Sequence, residues 1–117
     1  MRDDRKNIIV ELTFEFSIKV IQYSEQLREI HKFEMASQIF RSGTSIGANI
    51  REAQNAESKA DFIHKFKISA KEADELEYWL LLCKESKYYP EPNKSLLVDL
   101  KSIIKIMSKI IASSKRK

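Results

Sequence analysis

Lys101, Lys105 and Lys109 follow one another at intervals of four, and Lys94 and Arg116 project to the same side of one helix. Cations in such a row could meet successive phosphates of a nucleic acid as point charges. No Asn, Gln or aromatic side chain lies among them to read a base, so contact would be positional and not sequence-specific. Residues 94–117 hold seven basic side chains against the single carboxylate of Asp99, a net +6, whereas the whole chain carries only +4. Such asymmetry suits an anionic partner, nucleic acid first. The competing reading is a solvated helix face with a Lys-rich end, Lys115 to Lys117 being favourably placed at the negative end of the helix dipole.

Other reactive residue types lack company. His31 stands in a connection, His64 has no carboxylate or Cys at metal-ligand spacing, and Ser45 has no nearby His. The expectation is a non-enzyme with no catalytic residue, no metal and no cofactor. Cys83 is the only cysteine, so no internal disulfide can close, which fits a reducing, cytoplasmic setting. The charged start Met1 to Lys6 is not followed by a signal-peptide core. The longest uncharged stretch, residues 42–50, is far too short to span a membrane, so no membrane partner is expected.

Both glycines, Gly43 and Gly47, lie four apart and therefore on one helix face. Each costs about 1 kcal/mol relative to Ala inside a helix, and close packing against another helix is the compensating gain expected here. A phosphate loop would need a strand, a turn and a following Lys, which are missing. Arg41, Ser45, Asn49 and Glu52 form a polar row along the same helix. Beside a core such groups need partners, and Lys71, Glu72 and Glu75 are the candidates for a structural network.

The elements that position these residues follow from apolar periodicity. Ile9, Leu12, Phe16, Val20, Tyr23, Leu27 and Ile30 predict a helix over about residues 4–30. Met35, Ile39, Ser42, Ile46, Asn49, Ile50 and Ala53 predict a second over 34–54. Asn55, in a left-handed conformation, would end it, and Ser58 with Asp61 would cap a third over 59–86, carried by Phe62, Phe66, Ala70, Ala73, Leu76, Leu80 and Cys83. Tyr88-Tyr89-Pro90-Glu91-Pro92 is the linker. Asn93 caps a fourth helix over 94–113, with the stripe Leu97, Leu100, Ile104, Met107 and Ile111. With only two Gly and two Pro, the chain reads as a single all-α domain, an antiparallel up-down four-helix bundle over residues 1–117. Ile8, Phe14, Ile18 and Ile21 on the first helix, and Leu96, Ile103, Ile106 and Ile110 on the fourth, exceed what one bundle covers, which implies a homo-oligomer. Trp79, among Tyr78, Leu80, Leu81, Leu82 and Cys83, reads as core or interface and not as a stacking platform for bases.

Phe40 through Ala53, then Ser58 through Lys65, Ala70 to Ala73 and Glu77 to Leu80 carry a resemblance. Over residues 10–112 the chain resembles the four-helix-bundle family named for proteins encoded in intervening sequences of bacterial 23S ribosomal RNA genes. The resemblance implies an antiparallel bundle assembled as a ring-shaped homopentamer. In related accessory proteins of diversity-generating retroelements, a basic pentameric barrel binds nucleic acid and a reverse transcriptase. Arg41, Ser45, Asn49, Glu52 and Trp79 fall on the family pattern, none of them as a catalytic residue. The function expected is binding of rRNA or other structured RNA through a basic surface; a ring-shaped scaffold for a protein partner is the alternative.

Overall fold

Four apolar stripes become four helices: α1 Asp4–Glu29, α2 Phe33–Ala53, α3 Lys59–Glu85 and α4 Lys94–Arg116. The computed structural model describes residues 4–116, with side chains from residue 8 onward. Among the described residues there is no strand, and no helix is long and apolar enough to cross a membrane. Each helix packs beside its chain neighbour, and α4 returns to lie against α1, so the helices form an up-down-up-down bundle about 47 Å long and 20 Å across.

The core runs the length of the bundle through Phe16, Val20 and Leu27 of α1, Ile39, Ile46 and Ile50 of α2, Phe66, Leu76 and Leu80 of α3, and Leu100, Ile103 and Met107 of α4. Each such side chain contributes roughly 1.5 to 3 kcal/mol by leaving water. Thr13, Ser24, Ser42 and Ser69 are buried among them. Three of these hydroxyls bond to backbone carbonyls, Thr13 to Ile9, Ser42 to Gln38 and Ser69 across to Ile46 of α2.

The helix ends differ in part from what the sequence suggests. His31, not Asn55, is the one non-glycine residue with positive φ among the described residues, at 63°. The Lys32 N–H bonds to the Leu27 carbonyl and the His31 N–H to that of Arg28, which closes α1 in a Schellman arrangement. At the end of α2, tight bonds from Asn55 to Glu52 and from Ala56 to Ala53 turn the chain, so no left-handed residue is needed there. The Ser58 cap is as expected: its Oγ accepts the Asp61 N–H at 3.0 Å, and the Asp61 carboxylate accepts the Glu57 N–H at 3.1 Å. Asn93 accepts the Ser95 N–H at 2.9 Å. Helix α4 runs three residues beyond the expected end, because nothing in Ser113-Ser114-Lys115-Arg116 interrupts it.

The stripe on α4 is also shifted. Leu96, Leu100, Ile103, Met107 and Ile110 are buried, whereas Leu97, Ile104 and Ile111 are half-buried. The helix faces both α1 and α3, so its apolar arc is broad and its middle lies one position earlier. Of the apolar residues assigned to a second interface on α4, only Ile106 is outside this core. On α1 the surplus is exposed, with Phe14 at 59% and Ile18 at 44%, while Leu12 and Ile30 also leave the expected core for the surface.

Candidate nucleic-acid interface

Lys94, Lys101, Lys105, Lys109 and Arg116 are all exposed. They occupy the side of α4 opposite Leu96, Leu100 and Ile103, so the whole row faces solvent. Asp99 does not neutralise it. Its carboxylate points to the α1 side and takes the Lys19 ammonium at 2.6 Å. Among the described residues, none of the five cations has a carboxylate within 4 Å. Lys115 is exposed as well and is not one of the five; its positive charge lowers the pKa of Lys67 on α3. Lys117 and the side chains of Arg2, Arg5 and Lys6, an alternative basic cluster, lie outside the described residues.

The polar row on α2 is a structural seam to α3 at both its ends. Arg41 bonds to Glu72 at 3.2 Å, to Glu75, and to Gln38 at 3.1 Å, and the hydrogen bond with Glu75 is the main reason its pKa is raised. Glu52 pairs with Lys65 at 2.9 Å, which raises the lysine. Ser45 and Asn49, between them, bond instead to carbonyls of their own helix, those of Ser42 and Ser45. Lys71 takes no part. Trp79 is half-buried against the core and its indole N–H reaches Glu75 at 3.4 Å, so it extends the same seam.

The glycines face α1. A Cβ on Gly43 would overlap both γ-methyls of Val20, with Cγ2 only 2.8 Å away, and one on Gly47 would sit 3.1 Å from the Thr13 carbonyl. Close helix packing is therefore their role. One turn beyond Val20 the Tyr23 hydroxyl donates to the Pro90 carbonyl at 2.6 Å and ties the linker to α1. Burial pushes both the Tyr23 phenol and the Cys83 thiol upward, so neither ionises readily. Among the described residues no three of His, Cys, Asp and Glu converge in metal-binding geometry.

Residues 5–109 match the model of the 23S rRNA-intervening sequence protein family. The chain belongs to that family. Among solved structures it is similar to a protein of unknown function from the S23 ribosomal protein family of Bacteroides thetaiotaomicron, at 43% identity and a TM-score of 0.86, over 92% of this chain and 98% of that one. No curated protein matches. Within the family match lie the α2–α3 seam, both glycines and four of the five cations; Arg116, with Lys115, lies beyond it. Lys19 and Lys65 are not legible from spacing, since each pairs across helices, Lys19 with Asp99 and Lys65 with Glu52.

Proposed function

We propose that this member of the intervening-sequence family is a non-enzymatic, cytoplasmic, oligomeric protein that binds structured RNA, rRNA included, through the outward face of α4. The observation that supports this reading is the row Lys94, Lys101, Lys105, Lys109 and Arg116, exposed and without carboxylate partners while the one acid of α4 is engaged by Lys19. A helix face that only needed solubility would gain from interspersed acids, which also support helices at i,i+4. Lysines act here as point charges on phosphates, so recognition is by shape and charge. Released counterions then set the affinity. The triple variant Lys101→Gln, Lys105→Gln, Lys109→Gln should weaken binding of unrelated RNA duplexes alike. It should also reduce the slope of log K against log salt by about 0.7 to 0.9 for every phosphate left without its lysine, with an unchanged melting temperature. An unaltered slope would remove α4 as the contact face.

A second reading, a ring-shaped scaffold for a protein partner, is favoured by the exposed Phe14, Ile18 and Ile21 of α1. Gentle purification separates the two. Co-purifying nucleic acid supports the first, and specific proteins without nucleic acid support the second.

A further inference from the structure

Among the described residues, all three cation–π pairs lie toward the end of the bundle where α1 and α3 finish and α2 and α4 begin. Arg28 stands over the Phe40 ring at 5.7 Å, Lys32 over Tyr89 at 5.4 Å and Lys87 over Tyr88 at 5.4 Å. On the turn between α1 and α2, His31 stacks on Phe33 with ring centroids 5.5 Å apart and planes 23° from parallel. Phe33 is 56% exposed and Tyr88 68%, so these rings present their faces to solvent while cations stand beside them. Between the turn and the linker an open cleft of about 320 Å³ is lined by His31, Lys32, Phe33, Glu34, Met35 and Tyr89. That is the small end of the range for ligand pockets, room for one nucleoside. Tyr89 is a fixed wall, because it packs on the core and the Tyr23 hydroxyl holds its neighbour Pro90. Glu34 is the one acid in the lining. It is exposed and, among the described residues, has no cation within 4 Å.

Exposed flat rings interleaved with cations stack unpaired bases while the cations meet the flanking phosphates. The centre of a protein–protein contact is instead depleted in lysine. We propose that this cleft holds one unpaired guanine of a structured RNA, stacked on Phe33, with the Glu34 carboxylate accepting from its Watson–Crick edge. Guanine offers two adjacent donors there, N1–H and the exocyclic amino group, which match the two oxygens of a carboxylate. Uracil offers a single N–H between two carbonyls that the carboxylate repels. Lys94, the first cation of the α4 row, stands at the same end as the cleft, so an RNA strand following that row is led towards it. The cleft rests on the reading of α4 as an RNA face, and it adds base recognition to a contact that α4 makes by charge alone.

The test uses the full chain and three RNA probes: a hairpin with guanines in its loop, the same hairpin with uracils there, and a duplex without a loop. The parent should bind the guanine hairpin more tightly than the uracil one. Phe33→Leu keeps an apolar side chain but removes the ring, and it should weaken the guanine hairpin about 5- to 150-fold while leaving the duplex unchanged. Phe33→Trp should retain the affinity, and Glu34→Gln should bring the two hairpins closer together. Both positions are exposed, so the melting temperatures should match the parent's. If the α4 triple variant weakens all probes and Phe33→Leu weakens none, the cleft is wrong and the α4 reading stands. Equal binding of the two hairpins by the parent overturns the assignment of guanine. If the parent binds no RNA, the α4 reading fails, and the cleft is judged by guanosine monophosphate followed by NMR. Upfield shifts of the Phe33 ring protons then support it, and unmoved resonances overturn it.

Discussion

At the scale of single residues, the tightest constraint is the meeting of Gly43 with Val20. Val20 is buried and branched at Cβ, so it has no free rotamer into which to retreat. Gly43→Ala would gain about 1 kcal/mol in helix propensity and lose more by forcing α1 and α2 apart. The expected net result is a loss of about 1 to 3 kcal/mol in denaturant unfolding. Combining it with Val20→Ala should cost less than the sum of the two single variants, because the second substitution removes the methyls that the first would strike. Additive losses would show that this meeting does not limit helix approach. Gly47 is more forgiving, since its neighbours stand at 3.1 Å and beyond. The pair is legible as a packing face from its spacing alone; which helix it meets is not, because spacing carries no information about the partner.

Among the elements, the end of α1 carries an identifiable strain. His31 holds a left-handed conformation that costs a residue with a Cβ roughly 1 to 2 kcal/mol, of which glycine would return part after its own entropy loss of about 0.5 to 1 kcal/mol. His31→Gly is therefore expected to stabilise the protein by about 0.5 to 1 kcal/mol, measured as a raised denaturation midpoint at unchanged slope. A lowered midpoint would mean that the stacking of His31 on Phe33 outweighs the backbone term. This end is not legible from sequence, which offers no glycine there and makes Asn55 the better local candidate. Elsewhere the helix boundaries are readable to within a few residues, since Ser58, Asn93 and the two prolines are strong local signals. The phase of α4 is not. Its apolar residues fill so wide an arc that periodicity alone places the core stripe one position late, and only the positions of α1 and α3 decide it.

For the whole molecule, the exposed apolar surface is uneven. Phe14, Ile18 and Ile21 mark one face of α1, while Tyr78 and Leu82 mark a different side of the bundle on α3. Two unlike apolar faces on one chain suit a head-to-tail contact, and such contacts close into rings when the rotation permits. Light scattering at micromolar concentration should return a closed oligomer, and Phe14→Glu with Ile18→Glu should shift it to monomer while leaving the helical content intact. A monomeric parent would end this expectation. The four-helix architecture itself is legible from composition and periodicity, and the α1 surplus with it. The α4 surplus is core and, Ile106 apart, no surface at all.

The Lys19–Asp99 bridge joins positions 80 apart in the chain, and the Tyr23–Pro90 hydrogen bond positions 67 apart, whereas α1 with α2, and α2 with α3, meet through connections of a few residues. Closing a long loop costs entropy that short connections avoid, so the seam between α1 and α4 is the last to zip as the chain folds. The cation row rides on the helix that this seam holds in place. During synthesis, then, the first three helices can collapse together while the most basic segment is still emerging, and the anion-binding face is complete only when the bundle is.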